Sequence, residues 1–187
     1  MPRAVTWTAP TLETERLILR PPIAEDFEDF AAFGADADTM QYLGGVQSRP
    51  VAWRSFVGVV GSWHVLGYAF FSVLEKATGR WVGRLGPWQP EGWPGTEIGW
   101  GIARSYWGRG YAPEAATAAT DWAFDVLGWC EVIHTISAEN LKSKAVATRL
   151  GSRYLRQGRL PAPLDLEVEI WGQTREAWRA RRSGTSA

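Results

Sequence analysis

Ile102-Ala103-Arg104-Ser105-Tyr106-Trp107-Gly108-Arg109-Gly110-Tyr111-Ala112-Pro113-Glu114-Ala115 is the stretch on which the fold of this chain turns. Upstream, Thr96 to Ala103 alternates: Ile98, Trp100 and Ile102 share one face, while Glu97, Gly99, Gly101 and Ala103 share the other. That period of two predicts a strand. Downstream, Ala112 to Leu127 carries Pro113 near its start and Gly128 just past its end, the asymmetry expected of a helix. A strand therefore feeds through a glycine-containing turn directly into a helix. The first helical turn leaves backbone N–H groups unpaired, and the helix dipole adds partial positive charge there. Together they suit a phosphate or pyrophosphate. Gly108 and Gly110 allow close backbone approach, and Arg109 is expected to add a mobile cation. Ala112, Ala115, Ala116 and Ala119 keep the helix slim enough to lie close on a sheet.

Two nucleotide-binding patterns fail here. A Walker loop requires a lysine after its last glycine, and Tyr111 follows Gly110. A dinucleotide turn requires G-x-G-x-x-G, and Pro113 stands at the third glycine position.

Outward from the turn, Arg16 to Arg20 reads as a first strand ended by Pro21-Pro22. Ala24 to Phe33 reads as an amphipathic helix stopped at Gly34. A second helix opens at Pro50, and Trp53, Phe56, Val57 and Val60 follow its apolar period to an end at Gly67. Tyr68 to Lys76 and Arg80 to Gln89 read as a hairpin about Ala77-Thr78-Gly79. Glu131 to Ser137 alternates as a strand, Leu141 to Leu150 reads as a helix closed by Gly151, and Ser152 to Arg156 and Leu166 to Gly172 read as last strands. Residues 1–13 read as an irregular lead-in, and the basic tail 173–187 is expected to fray.

The 187 residues fit one domain, spanning 1–187 with its core at about 11–172. Twenty basic and 20 acidic residues give zero net charge, which argues against nucleic acid as a partner. One cysteine, Cys130, forms no intramolecular disulfide, and with two histidines it makes a metal site unexpected. The N-terminus lacks an apolar h-region, and no run approaches the roughly 18 apolar residues that span a bilayer. A cytoplasmic, membrane-free protein is the expectation.

Trp107-Gly108-Arg109-Gly110-Tyr111-Ala112 resembles the acetyl-CoA signature Q/R-x-x-G-x-G/A of the GNAT acetyltransferase superfamily, with Trp107 where Gln or Arg is usual. Tryptophan there is similar to the RimJ/RimL-like branch, which acetylates ribosomal-protein N-termini. Asn140-Leu141-Lys142-Ser143 through Gly151 resembles the family's N-x-x-S helix, and Glu13-Thr14-Glu15-Arg16-Leu17-Ile18-Leu19-Arg20 resembles the branch's T-x-R-L-x-L-R opening. The likeness covers about residues 11–172. It departs at Ser152, where a large aromatic is usual.

The resemblance implies a mixed α/β fold, the GNAT acyl-CoA N-acyltransferase fold: a mostly antiparallel sheet of about seven strands flanked by about four helices. It implies acetyl-CoA as co-substrate and a primary amine as acceptor, either a peptide N-terminus or a small molecule, attacked directly within a ternary complex. Ile102, Ala103, Trp107, Gly108, Arg109, Gly110, Tyr111, Ala112, Asn140 and Ser143 are the implied cofactor-binding residues. Ser143 matches the serine that hydrogen-bonds the departing sulfur; its alternative is an N-terminal-turn serine bonded to backbone. Asn140 matches the residue that holds the pantetheine arm and is also a good N-cap. Gly99, Gly101 and Ala103 are expected to leave room for pantetheine along their strand.

Glu97, on that same face, is the candidate base, directly or through water; its alternative is a salt bridge or a solvated strand end. His134, on an apolar strand, reads as a satisfied core residue, and Cys130 as a small buried hydrophobe. Trp81, Trp88, Trp93, Trp100 and Trp107 read equally as an acceptor pocket, a homodimer surface or sheet packing. A non-catalytic CoA-binding module and a protein-interaction domain are the competing functions.

Overall fold

The computed structural model describes residues 10–184. Eight strands form one sheet in the order β1-β2-β3-β4-β5-β6-β8-β7. They are β1 (Leu12–Glu13), β2 (Leu17–Arg20), β3 (Phe71–Glu75), β4 (Trp81–Trp88), β5 (Glu97–Ile102), β6 (Glu131–Ile136), β7 (Arg153–Arg159) and β8 (Glu167–Thr174). The helices are α1 (Phe27–Ala35), α2 (Ala37–Met40), α3 (Arg49–Leu66), α4 (Tyr111–Asp125), α5 (Leu141–Leu150) and α6 (Arg175–Arg182). Among the described residues no helix is long and apolar enough to cross a membrane.

Every strand pairing is antiparallel except β5 with β6. Parallel neighbours need a crossover, and α4 provides it. The helix is slim where it meets the sheet: Ala115, Ala116 and Ala119 are completely buried, as their spacing predicts. They pack in the main core with Leu17, Leu19, Phe71, Val82, Leu85 and Ile98. A second core joins Phe27, Phe30 and Phe33 of α1 to Phe56 of α3 and Trp81 of β4.

β5 and β6 are paired at one position only, Glu97 opposite Ile133. Beyond it the strands part. The Thr96 carbonyl accepts from the Ile133 N–H, and the Ile98 carbonyl accepts from the His134 ring. Ala103 N–H instead donates to Val82 of β4. Even-numbered residues of this strand thus turn their backbone groups toward β6. With pairing ended at Glu97, the groups of Trp100 and Ile102 face the opening.

The structure adds three elements to those expected. Leu12–Glu13, read as lead-in, pairs with Ile18 and Leu19 as β1; residues 1–9 of that lead-in lie outside the described residues. Asp36 caps the short α2 by accepting from Thr39 N–H. The third addition corrects the expectation of a fraying tail where the tail is described, because residues 175–182 form α6, while residues 185–187 of that tail lie outside the described residues. Thr174 caps it through Ala177 N–H. Trp178 is 2% exposed, packs against Phe124 and donates to Asp121 Oδ1 at 2.7 Å. Arg179 and Arg182 pair with Asp125 and Asp121 of α4. The basic composition suggested a solvated end; one tryptophan turns it into a docked helix. Trp178→Ala should cost about 3–5 kcal/mol in a denaturant titration, whereas a frayed tail would leave the midpoint unchanged.

Candidate active site

Gly108 and Gly110 both have left-handed backbone, with φ of 76° and 79°. Nothing stands within 4 Å of where a Cβ would sit at Gly108, so the backbone there is open to a ligand. From Gly108 through Ala112 the N–H groups make no hydrogen bond among the described residues. This cradle of unpaired N–H groups is the backbone geometry that the strand–turn–helix pattern predicts.

The turn is braced from the start of the chain. Glu114, in the first turn of α4, accepts from Thr14 Oγ1, from Arg16 N–H at 2.9 Å and from Arg16 Nε at 2.7 Å. Arg16 also donates to the Arg109 carbonyl at 2.9 Å and lies over the Tyr111 ring. The T-x-R opening is therefore tied to the turn. Arg109 is not the mobile cation expected: its guanidinium lies over Tyr106 and pairs with Glu75 at 3.4 Å. Glu75 in turn accepts from the Tyr111 hydroxyl, and these partners hold its carboxyl below the usual range.

Trp107, the departure from the usual motif, has a role of its own. Its indole N–H donates to the Ile102 carbonyl at 2.7 Å, and Lys142 of α5 sits 4.2 Å from its ring centroid. The indole thus joins the end of β5 to the turn and carries a cation beside the cradle.

A cavity of about 800 Å³ lies along the parted strands and is lined by Glu97, Gly99, Trp100, Asn140 and Ser143, with Arg84 and Trp88 from β4 and Phe70 from just before β3. Glu97 is 6% exposed. Its carboxylate accepts from Trp93 Nε1 at 2.5 Å, from Thr135 N–H at 3.2 Å and from Thr135 Oγ1 at 3.0 Å. Burial nevertheless dominates and pushes its pKa up to about 7. It is neither in a salt bridge nor at a solvated strand end.

Asn140 is the N-cap of α5, accepting from Ser143 N–H at 3.1 Å, and it also lines the cavity. Ser143 Oγ accepts from Trp100 Nε1 at 3.2 Å. That contact occupies an acceptor site and leaves the hydroxyl proton available to a group in the cavity.

His134 is a satisfied core residue. Nδ1 lies 2.7 Å from the Ile98 carbonyl, so it carries the proton; Nε2, 2.9 Å from Ser152 Oγ, is then the acceptor. Ser152 accepts in turn from Gln173 Nε2 at 3.0 Å. The small Ser152, where an aromatic is usual, is what closes this buried chain of bonds. Burial lowers the His134 pKa to about 4.

Two expectations need correction. Cys130 is exposed, because it sits in the bend between Gly128 and β6 rather than on the strand. The room above Gly99 and Gly101 is taken by rings: a Cβ at Gly101 would lie 2.7 Å from Phe33 and one at Gly99 3.0 Å from Phe70. The free path for an extended chain is the open edge of β5, not its glycine face. The tryptophans divide between the readings left open: Trp81 is in the core, while Trp88, Trp93 and Trp100 line the cavity, Trp88 stacked on Phe70, and Trp93, Trp100 and Trp107 donate to Glu97, Ser143 and Ile102 respectively. Thr135, Lys142 and Arg84 went unnoticed in the sequence. Only Arg84, a charge inside an otherwise apolar strand, gave a visible signal. Among the described residues no cluster of His, Cys, Asp and Glu is gathered to hold a metal ion.

This geometry has known relatives. Residues 16–153 match the family model described as Acetyltransferase (GNAT) domain. A Bacillus subtilis (strain 168) protein, YkkB, is 32% identical over 153 residues, covering 76% of this chain and 85% of its own. The crystal structure of an acetyltransferase from Agrobacterium tumefaciens str. C58 is 32% identical with a TM-score of 0.79, covering 94% of this chain and all of its own. The spermidine N-acetyltransferase of Vibrio cholerae, solved with CoA and spermine, shares the fold at 15% identity and a TM-score of 0.68, covering 88% of this chain and 98% of its own. The chain belongs to the GNAT acetyltransferase family, whose enzymes use acetyl-CoA. Within it, the chain is a member of the RimJ/RimL-like branch.

The buried pair of titrating groups sets opposite pH trends. An unfolded histidine binds its proton below about pH 6.5, but folded His134 does so only near 4. Its contribution to stability is therefore present above about pH 6.5 and lost as pH falls toward 4. Glu97 runs the other way: its burial penalises folding as pH rises from the ordinary carboxylate value toward about 7. Urea midpoints measured across this range should fall less on acidification in His134→Gln than in the parent.

Proposed function

We propose that the protein acetylates a primary amine, with the α-amine of a peptide N-terminus as the leading acceptor, by direct attack in a ternary complex with acetyl-CoA. The observation that carries the proposal is that Glu97 and Ser143, from β5 and α5, line one cavity beside the unpaired edge of β5. In this reading the cradle at Gly108 to Ala112 holds the pyrophosphate. The backbone of Trp100 and the N–H of Ile102 pair with the pantetheine arm, the Ile102 carbonyl being held by Trp107, and Asn140 borders its far end. When bound, acetyl-CoA supplies the activated acetyl group.

The chain's own residues handle orientation and protons. An α-amine has a pKa of about 8, so about a tenth is neutral at pH 7 without help. Glu97, with its pKa pushed up to about 7, is matched to take the proton that nitrogen loses as the N–C bond forms. Thr135 and Trp93 keep its carboxyl oriented, and transfer through one water is compatible with its 6% exposure. As the C–S bond breaks, the Ser143 hydroxyl donates a hydrogen bond to the sulfur, with Trp100 fixing its direction. Thiolate has an ordinary pKa near 8.5 and takes its proton from solvent at neutral pH. Positioning of the two substrates supplies the largest share of the rate.

Glu97→Gln should lose the limb of the kcat/KM profile centred near pH 7 and keep only the limb of the acceptor amine. The loss in kcat should be on the order of 100-fold, read by thiol release, with titration of acetyl-CoA giving unaltered affinity. An unchanged profile removes Glu97 from the mechanism. Ser143→Ala should lower kcat by about fivefold, the worth of one hydrogen bond; normal turnover would exclude its role. Acetyl-CoA binding without turnover across peptides, amino acids and polyamines would identify a CoA-binding module instead.

A further inference from the structure

The acetyl-transfer reading leaves an arginine in the cavity without a task. Arg84 lies on β4, opposite Gly101 of β5. Pairing puts Arg84, Gly86 and Trp88 on the same face as Glu97, Gly99 and Gly101. The side chain is half-buried and lines the same cavity as Glu97 and Ser143. Its guanidinium carbon lies 4.3 Å from the Phe70 ring centroid and 5.9 Å from that of Phe33. Both distances are within cation–π range, and such contacts leave the N–H donors free to bond elsewhere. Among the described residues none of those donors has a hydrogen-bond acceptor or a carboxylate in salt-bridge range. The other arginines near the site, Arg16, Arg20 and Arg109, all have one.

An arginine held beside aromatic rings with an unpaired fork of donors is suited to take a planar anion. Phe70 forms the floor between this fork and the candidate base. Its edge lies 3.0 Å from the Cβ position of Gly99, which is 3.3 Å from Glu97 Oε1. The absence of a Cβ at Gly99 is what lets the Phe70 ring lie there. Exposed Glu91 and Glu167 also line the cavity and complement an incoming ammonium. We infer that Arg84 is a specificity-determining residue that binds a carboxylate carried by the acceptor close to its reactive amine. This rests on the acetyl-transfer reading for the meaning of the word acceptor, but its geometry does not depend on Glu97 being the base. Burial lowers the Arg84 pKa to about 10, so the group remains charged at neutral pH.

The alternative role for Arg84 is to tune Glu97, whose carboxylate its charge stabilises. Matched acceptors separate the two: an α-amino acid, its amide and its decarboxylated amine, alongside peptides beginning with Asp or Glu and their Asn or Gln counterparts. The first set reports a free amino acid and the second an acidic N-terminal residue. In the parent enzyme the carboxylate member of one set should be preferred. In Arg84→Met its KM should rise about 30-fold, the worth of a charge-assisted pair, bringing the ratio within the set close to one. Arg84→Lys should restore part of the preference. Equal losses for all members, with a displaced pH profile, would reduce Arg84 to a tuner of Glu97 and overturn the inference.

A binding readout covers the case in which no amine turns over. Titration of N-acetylated amino acids and their amides into the CoA-loaded protein should favour the carboxylates in the parent and not in Arg84→Met. No preference in the parent overturns the inference, whatever the activity. A preference without turnover instead counts against the catalytic roles of Glu97 and Ser143 and leaves Arg84 in place.

Discussion

The parting of β5 and β6 after a single paired position is the constraint on which the rest of this structure depends. A sheet normally consumes its backbone hydrogen bonds internally. Here the pairing ends at Glu97 and Ile133, and the remaining edge of β5 is left to be satisfied from elsewhere. His134 accounts for one carbonyl and Trp107 for another. The His134 bond ties the two strands where they part, and the Trp107 bond satisfies the far end of β5 without closing the gap. The buried chain of His134, Ser152 and Gln173 reaches from that gap into β8, so the opening is supported by the far half of the sheet. The gap is thus a held shape rather than a missing pair.

Electrostatics follow from the same opening. Glu97 sits where the strands part, out of water but bordering the cavity, and desolvation outweighs the donors that stabilise its charge. A carboxylate with the same partners at the surface would stay acidic. Placing the acid at the apex of the gap raises its affinity for protons and positions it near the path of an extended ligand. Trp93 and Trp100 serve that arrangement as hydrogen-bond donors to Glu97 and Ser143, which is why the abundance of tryptophan was hard to interpret as packing alone.

Legibility from the sequence tracked how local each cause is. The turn, α4 and α5 were readable because glycine, proline and capping residues act over a few positions. The cradle and the N-cap role of Asn140 followed from the same local rules. Whatever depended on distant partners was not readable. Trp178 marks a docked helix only once Asp121 and Phe124 are beside it. The glycine face of β5 looked vacant until Phe33 and Phe70 filled it. The fixed position of Arg109 required Glu75, 34 residues away in sequence. Thr135 gave no signal because its value lies in facing Glu97 across the parted strands.

The sheet order ends β6-β8-β7, so the last strand of the chain is inserted between two earlier ones. This has a consequence for biosynthesis. Until residues 167–174 leave the ribosome, β7 has no neighbour and β6 keeps a bare edge beside the cavity. Gln173, which completes the buried chain to His134, arrives with that strand. The nascent chain thus carries the 108–112 turn complete well before β8 exists, and β8 acts as a closing key for a half-built sheet.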